Sequence, residues 1–270
     1  MTLVASWIAV DTHGPSAIYL ASDSRLTWGT NLVYEHCRKV FVCLNSPDIF
    51  AYCGDVLFPS IVLNQIVLLA DHGILFEPTA SCEDRSIAVR KMLSALIKKY
   101  PSWATVMKDS CEIIHASREI SGEFFVRSYK WTKSTADWIV KPITLTTESD
   151  KIHVIGSGKD QFEEHYRKQW KASNAKTSRA LFHAFIDTLT YNKDPYCGGP
   201  PQLVGLYRGK YNSRFFGIPY GGRRYLHGVG VDGLANLNCI EWRNELFEVC
   251  DGVTMLLKDK AQRQPNAVAR

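Results

Sequence analysis

Two short apolar runs open the chain. Residues 2 to 10 and 17 to 22 are rich in Val, Ile, Trp and Ala, and the residues between them, "DTHGPS", are typical of a turn. Both runs are apolar on both faces, which is typical of strands that are covered on each side. The pattern therefore predicts a hairpin inside a layered fold.

The remaining pattern changes its period in blocks along the chain. Strand-like runs at 39 to 44 and 48 to 53 are followed by helical spacing at 59 to 72 and 83 to 99. The later elements are predicted as strands within 110 to 156, helices at 159 to 172 and 176 to 191, and strands at 202 to 208, 213 to 218 and 238 to 250. This block order predicts one α+β layered domain over residues 1 to 255, with a polar, frayed tail at 256 to 270.

Composition and charge narrow the class of protein. An apolar fraction of 46% with 22% charged residues is ordinary for a soluble globular chain of 270 residues. The net charge of +5 is spread along the chain without a basic stripe, so no nucleic-acid partner is expected. Because no apolar run approaches 18 residues, and Asp11 and Gly14 come too early for a signal peptide, no membrane span or signal peptide is expected.

The eight cysteines raise the question of a disulfide framework or a metal site. Several lie within apolar runs such as "VFVCL" and "FEVCD", and no pair has Cys-x-x-Cys spacing. Buried reduced thiols are therefore predicted, which indicates a cytoplasmic protein. The eight histidines show no metal-ligand spacing, so neither a metal nor a cofactor is predicted.

The second residue of the chain is a candidate nucleophile. Thr2 is small enough for a methionine aminopeptidase to remove Met1. A threonine exposed in this way carries a hydroxyl and a free α-amine, which are the two parts of a self-contained nucleophile and base. Many unrelated proteins begin Met-Thr, so the chemistry depends on what the rest of the chain supplies.

Several spaced motifs agree with that chemistry. "ASDSRLTWG" places Asp23 after the second strand, Lys39 follows sixteen residues later, and "FAYCGD" places Gly54 between a strand and a helix. Farther on come "IGSG" at 155 to 158 and "DPYCGG" at 194 to 199. These motifs resemble those of proteasome β subunits and their bacterial two-component relative, which are N-terminal-nucleophile hydrolases. The resemblance covers residues 2 to 210 and implies a four-layer α-β-β-α sandwich.

The resemblance also implies a role for each matching residue at the N-terminal site. Thr2 would be the nucleophile, and its α-amine, with a reference pKa of about 7.7 to 8, would be the base. Lys39 would favour the alkoxide as it forms, while Asp23 would hold the lysine ammonium in place. The main-chain N–H of Gly54 would bind the developing oxyanion, a role typically worth about 3 to 4 kcal/mol.

Residues of the later motifs, and those around the predicted substrate, complete the site that the resemblance implies. Ser157 and Asp194 would orient the amine and its water, but Cys197 stands where the family has a serine, and a thiol donates only weakly. Thr27 would bind the backbone of an extended substrate. A pocket for hydrophobic substrate residues would be lined by Leu26, Cys37, Phe41, Tyr52 and Val56.

The sequence therefore predicts a threonine-type amide hydrolase, with a peptidase as the first choice and a peptide or protein as its substrate. The resemblance implies a homo-oligomeric ring and makes an ATPase a candidate partner. Two alternatives stay open. One is a non-proteolytic amidohydrolase that uses the same Thr2 on a small amide, and the other is a catalytically silent structural subunit that retains Met1.

Each candidate residue also has a purely structural interpretation. Asp23 and Arg25 could pair with each other across a turn, and Lys39 could be exposed, as lysines at strand starts usually are. Gly54 could be an ordinary glycine between a strand and a helix. Ser157 could simply be the N-cap of the following helix.

Two further segments invite other functions. "VIGSGKD" has the order of a phosphate loop, but it lacks the first glycine at the required distance, and Asp160 stands where Ser or Thr should hold magnesium. "GIPYGGRR" could meet an acidic partner, but a solvated hairpin is the simpler interpretation.

Overall fold

A computed structural model describes residues 2–28, 32–101, 110–170, 175–209, 213–259 and 261. The α-helices in this part of the chain are α1 (Leu57–Asp71), α2 (Cys82–Ile97), α3 (Lys159–Gln169) and α4 (Ser178–Thr190). Its strands are β1 (Leu3–Asp11), β2 (Gly14–Ser22), β3 (Leu26–Trp28), β4 (Leu32–Tyr34), β5 (Val40–Val42), β6 (Asp48–Gly54), β7 (Ser110–Arg118), β8 (Phe124–Thr132), β9 (Trp138–Ile143), β10 (Asp150–Gly156), β11 (Gln202–Tyr207), β12 (Ser213–Tyr220), β13 (Arg223–Leu226), β14 (Val229–Gly230), β15 (Glu241–Arg243) and β16 (Val249–Cys250).

Most strands belong to two sheets. The larger sheet has the order β10-β1-β2-β11-β12-β13-β14, and β15 joins it by parallel pairing with β12. The smaller sheet has the order β5-β6-β7-β8-β9, and β3 and β4 form a separate hairpin. The register places Leu3 opposite Gly156 and Val4 opposite Ser22. The chain therefore enters the larger sheet between the ends of β2 and β10, which is where Thr2 lies.

Three apolar clusters hold the sheets and helices together. Leu3 belongs to a cluster of larger-sheet residues and residues of α3 and α4, such as Phe185. Val4, its neighbour in β1, belongs to a cluster that joins both sheets and includes Ile49. The third cluster joins the smaller sheet, for example Phe50, to α1 and α2. Because successive residues of β1 are buried in different clusters, the prediction that this strand is covered on both faces is confirmed.

The predicted order of strands and helices largely agrees with the structure, with one clear error. The strand predicted at 238 to 250 is wrong. This segment contains a 3₁₀ turn at Leu237–Cys239 followed by the short strands β15 and β16. The interruption has a local cause, because Asn244 Oδ1 accepts hydrogen bonds from the backbone N–H groups of Leu246 (3.0 Å) and Glu248 (2.8 Å), which closes a turn.

One hairpin was not predicted, the tail begins later than predicted, and some predictions concern residues outside the described ranges. The hairpin β3–β4 was not predicted, because each of its strands has only three residues, fewer than the roughly four to eight that a strand pattern needs to be recognised. The C-terminal tail was predicted to begin at 256, but Leu257 still pairs with Cys250. Met1, Gly29, the end of the predicted helix at 171 to 172, and residues 260 and 262–270 of the tail lie outside the described residues. None of the helices in the described part combines the length and apolarity needed to cross a membrane.

Candidate active site

Thr2, Asp23 and Lys39 meet beside the start of β1. Thr2 Oγ1 donates a hydrogen bond to Asp23 Oδ1 (2.8 Å) and accepts one from Lys39 Nζ. Lys39 Nζ also lies 2.9 Å from Asp23 Oδ1. Thr2 is 3% exposed, and the other two residues are fully buried. The structure thus brings together three of the sequence-predicted residues, from three separate segments, around one hydroxyl group.

The Asp23 carboxylate organises this cluster by accepting hydrogen bonds on both oxygens. Oδ1 accepts from Thr2 Oγ1, Lys39 Nζ and the N–H of Leu3 at 3.1 Å. Oδ2 accepts from the N–H groups of Gly198 at 3.0 Å and Arg25 at 3.3 Å. Since an ionised carboxylate only accepts hydrogen bonds, this arrangement suits its charged form. Asp23 therefore fixes the position of the chain start as well as that of the lysine.

Lys39 has an acceptor for each of its three ammonium hydrogens. These acceptors are Thr2 Oγ1, Asp23 Oδ1 and the carbonyl oxygen of Arg25, the last at 2.6 Å. The interpretation of Lys39 as an exposed strand residue is therefore wrong. An ammonium in contact with a hydroxyl favours the deprotonated form of that hydroxyl, because the opposite charges attract. Such a contact can assist a threonine that acts as a nucleophile.

Arg25 pairs with Glu35 and not with Asp23, so the predicted alternative of an Asp23–Arg25 ion pair is wrong. Arg25 Nη2 and Nε lie 2.7 Å and 3.0 Å from Glu35 Oε1. The guanidinium rests on Gly198, where an added Cβ would lie 2.6 Å from Arg25 Cζ. This close approach explains why a glycine is needed here, and it leaves the Gly198 N–H directed at Asp23.

The "IGSG" motif acts through a glycine that lies against Thr2. Gly156 has φ +107°, and an added Cβ would lie 1.8 Å from the Thr2 carbonyl oxygen. No other residue type fits there without moving the chain start. Ser157 is exposed in the following turn, and the N-cap of α3 is Gly158 without a side-chain hydrogen bond. The interpretation of Ser157 as an N-cap is therefore wrong.

The "DPYCGG" motif packs beside the same site. Asp194 Oδ1 accepts a hydrogen bond from the N–H of Tyr196 (2.9 Å), and Oδ2 is buried without a hydrogen-bond partner among the described residues. The Cys197 thiol is buried near Gly158. Burial, with the charge of Asp23 as a further cause, raises the pKa of the Cys197 thiol well above its usual range. Cys197 is therefore a neutral, weak donor where the family serine would donate more strongly.

Gly54 ends β6, as predicted, three residues before the first residue of α1. The charges of the site affect the pKa of its neighbour, Cys53. Burial is the main cause that raises the pKa of Cys53 to about 11, while the charge of Lys39 lowers it and that of Asp23 raises it. The end of β6 therefore lies within electrostatic range of the Asp23–Lys39 pair.

The residues predicted to bind substrate divide into two groups. Thr27 and Leu26 are partly exposed on β3, opposite Val33 and Tyr34 of β4. The others lie on or beside the smaller sheet: the Cys37 thiol is 3.4 Å from the Tyr52 hydroxyl, the Phe41 and Tyr52 rings are 6.3 Å apart, and Val56 packs against their cluster.

Burial changes the predicted pocket. Phe41 and Tyr52 are 0% and 1% exposed, so in this structure these two rings do not line an open surface pocket. The partly exposed Leu26, Cys37 and Val56 remain candidates for contact with a substrate. A separate cavity of about 620 Å³ is lined by residues that include Arg25, Glu35, Asp194 and Gly198, but its lining includes neither Thr2 nor Lys39.

Gln202, at the first position of β11, was not predicted from the sequence as a site residue. Its side chain is fully buried and bonds to the segments that carry Asp23 and Lys39. The only signal in the sequence was a polar residue at the start of an apolar strand, two residues after "DPYCGGP". Such a residue is usually assigned to a strand end, because its partners are distant in the chain.

Comparison with solved structures identifies the fold. The chain is similar to Anbu, an ancestral beta-subunit from Yersinia bercovieri, with a TM-score of 0.53 and 13% sequence identity, over 80% of this chain and 86% of that one. The chain has a proteasome-β-subunit-like fold. The resemblance that the sequence motifs indicated is thereby confirmed at the level of fold. A eukaryotic HslV from Trypanosoma brucei is more weakly similar, with a TM-score of 0.45 and 12% identity over 76% of this chain and 99% of that one.

Sequence comparisons add nothing to this similarity of fold. No protein-family model matches the chain, and no curated protein sequence matches it. The similarity in structure is accordingly evidence about architecture, and the chemistry has to be argued from the side chains around Thr2.

Proposed function

We propose that this protein is a threonine-type amide hydrolase, acting as a peptidase, whose nucleophile is the Thr2 hydroxyl once Met1 has been removed. One observation carries the proposal: Thr2 Oγ1 lies buried between the Asp23 carboxylate and the Lys39 ammonium. A structural threonine does not need a buried ion pair at its hydroxyl. Because burying two charges is costly, a buried pair held at one hydroxyl supports a chemical role for that hydroxyl.

The proposed reaction begins with proton transfer from the Thr2 hydroxyl to its own α-amine, directly or through water. The threonine oxygen then attacks the amide carbonyl carbon while Lys39 stabilises the negative charge. The N–H of Gly54 is proposed to hold the oxyanion. As the carbon–nitrogen bond breaks, the protonated amine returns its proton to the leaving nitrogen, and water hydrolyses the resulting ester to release the acid and restore Thr2.

We further propose that the extended substrate lies along β3, with Thr27 bonding its backbone and Leu26, Cys37 and Val56 favouring hydrophobic residues before the cut. Ser157, Asp194 and Cys197 are proposed to orient the amine. The clusters that join α3 and α4 to the larger sheet, the two sheets to each other, and the smaller sheet to α1 and α2 support a four-layer α-β-β-α sandwich. Assembly into a homo-oligomeric ring in the cytoplasm, with an ATPase as candidate partner, belongs to the same proposal.

The test combines an intact-mass measurement with substrate assays. Protein made in cells with normal methionine processing should lack Met1, and it should hydrolyse a peptidyl aminocoumarin with a hydrophobic residue before the cleaved amide. Thr2→Ala should lower kcat by on the order of 10⁴-fold or more, because the nucleophile is removed. Thr2→Ser, which keeps a hydroxyl, is the matched control and should retain measurable activity.

Three other outcomes would change the assignment. Activity on a panel of small amides but on no peptide would favour the non-proteolytic amidohydrolase. Complete retention of Met1 would block the amine that serves as base, and would favour a silent structural subunit. Undiminished hydrolysis by Thr2→Ala would place the nucleophile elsewhere.

A further inference from the structure

One buried side-chain amide connects the two segments that carry the charged residues of the site. Gln202 Oε1 accepts a hydrogen bond from the N–H of Lys39 at 3.0 Å. Its Nε2 lies 3.0 Å from the Asp23 carbonyl oxygen, 2.8 Å from Ser24 Oγ and 2.7 Å from the Cys37 carbonyl oxygen. The side chain is fully buried, so water does not compete for these bonds.

The chemistry of these partners requires an amide. The Lys39 N–H needs an acceptor, whereas the carbonyl oxygens of Asp23 and Cys37 need a donor. Ser24 Oγ donates to the Pro200 carbonyl oxygen at 2.5 Å, so it is a third acceptor for Gln202 Nε2, whose two hydrogens are shared among the three oxygens. A carboxylate of the same shape could not donate to any of these groups, and a leucine could neither donate nor accept.

Gln202 therefore forms hydrogen bonds to both ends of the long segment that runs from Asp23 to Lys39. Asp23 and Lys39 are separated by the hairpin β3–β4, whose described residues form a two-stranded sheet of their own, without pairing to β11. Among the described residues, the backbone hydrogen bond from the Cys37 N–H to the Ser24 carbonyl oxygen, at 3.0 Å, directly joins the two ends of this segment. The amide adds to this bond, and to the bonds from Lys39 Nζ to Asp23 Oδ1 and the Arg25 carbonyl oxygen, a connection that is anchored in the larger sheet through β11.

We propose that Gln202 is a positioning residue that sets the separation of Asp23 and Lys39, and through them the orientation of the Thr2 hydroxyl. This inference rests on the proposed function, because the hydroxyl matters for rate only if it reacts. Thr2 is not among the hydrogen-bond partners of the Gln202 side chain in the described part of the chain. The contribution of Gln202 is to hold the backbone from which the ammonium reaches the hydroxyl.

The test compares Gln202→Glu and Gln202→Leu with the wild type in steady-state hydrolysis of the peptidyl aminocoumarin. Displacing the ammonium by about 1 Å should lower kcat on the order of 10²-fold. KM should change less than threefold, because Gln202 bonds Cys37 only at its backbone carbonyl, whereas the Cys37 side chain is the part proposed to meet the substrate. Ser86→Ala is the control for a loss of stability alone, since it removes a buried hydrogen bond to the Tyr129 hydroxyl (2.7 Å) between α2 and β8, two elements that carry none of the proposed site residues.

Amide hydrogen exchange provides a second readout that needs no substrate. The Lys39 N–H should exchange faster in Gln202→Leu, which offers it no acceptor, and at the wild-type rate in Ser86→Ala. Wild-type kcat in a folded Gln202→Leu protein, or unchanged exchange at Lys39, would overturn the inference. If the wild type hydrolyses nothing while exchange at Lys39 still rises in Gln202→Leu, the proposed function fails, and the role of Gln202 is limited to ordering the backbone of Asp23 and Lys39.

Discussion

At the scale of single residues, the candidate chemistry depends on one carboxylate. Asp23 faces a fully buried ammonium, and both charges have been removed from water. Replacing one partner of such a pair leaves the other charge buried without compensation, which typically costs about 3–5 kcal/mol. We therefore expect Asp23→Asn to abolish activity and to lower the free energy of unfolding by about this amount. Urea unfolding at neutral pH measures the change.

The control for this substitution is Asp137→Asn, which makes the same chemical change at an exposed carboxylate. Asp137 lies 3.4 Å from Arg90, and both side chains are more than half exposed. Surface pairs of this kind contribute about 0–1 kcal/mol, so this variant should unfold almost like the wild type. If the two variants lose the same small amount, Lys39 is not the buried, charged partner that the geometry implies.

At the scale of elements, the hairpin β13–β14 contacts segments next to the site, at His36 and Ser24. Its turn residue Gly228 accepts a hydrogen bond on its carbonyl oxygen from His36 Nδ1 (2.8 Å), and an added Cβ there would lie 2.5 Å from Ser24 Oγ. The preceding residue, His227, has φ +49°, and its Nδ1 is buried without a hydrogen-bond partner among the described residues. A change in this turn therefore reaches the segment that carries Asp23.

We expect His227 to make the turn sensitive to acid. Burial, with the positive charge of Arg38 as a smaller cause, lowers the pKa of His227 from 6.5 to about 3. A group whose pKa is lower in the folded state contributes stability above its unfolded pKa and loses it as the pH falls towards the folded pKa. The free energy of unfolding should thus fall below pH 6.5 by up to about 1.4 kcal/mol per pH unit from this group.

The variant that tests this dependence is His227→Asn, because asparagine tolerates the left-handed backbone and does not titrate. Urea unfolding at several pH values between 7 and 4 should give a shallower acid slope than in the wild type. His13→Asn, on the exposed turn between β1 and β2, should keep the wild-type slope. An unchanged slope in His227→Asn would show that the turn is not the acid-sensitive element.

At the scale of the whole molecule, the parts that could be predicted from sequence are those with local causes. The two-sided burial of β1 follows from its apolar residues, and the Asp23-to-Lys39 spacing indicated a site that the structure assembles. Gln202 could not be found in this way, because its role depends on contacts with residues more than 160 positions away. The burial of Phe41 and Tyr52 was missed for the same reason, since only packing against α1 and α2 reveals it.

The molecule also carries apolar surface that its own fold does not cover. On α1, Leu57, Ile61 and Leu68 share one face and are 57%, 47% and 59% exposed. On the hairpin β3–β4, Trp28, Leu32, Val33 and Tyr34 are 49–68% exposed. Single exposed apolar residues are ordinary, but grouped ones mark contact surfaces. A ring-forming subunit would bury such surfaces against its neighbours.

Assembly can be tested directly by analytical ultracentrifugation. If the proposed ring forms, the wild type should sediment as a particle several times the 30.5 kDa of one chain. Ile61→Glu on α1 and Leu32→Glu on the hairpin place a charge in the apolar surfaces, and the variant whose surface forms the contact should shift to smaller species. Ile120→Glu is the matched control, because Ile120 is 76% exposed on the turn between β7 and β8 and outside both surfaces. A wild type that sediments as a monomer at every accessible concentration would contradict the ring. Equal dissociation of all three variants would mean that added charge alone, and not these two surfaces, controls assembly.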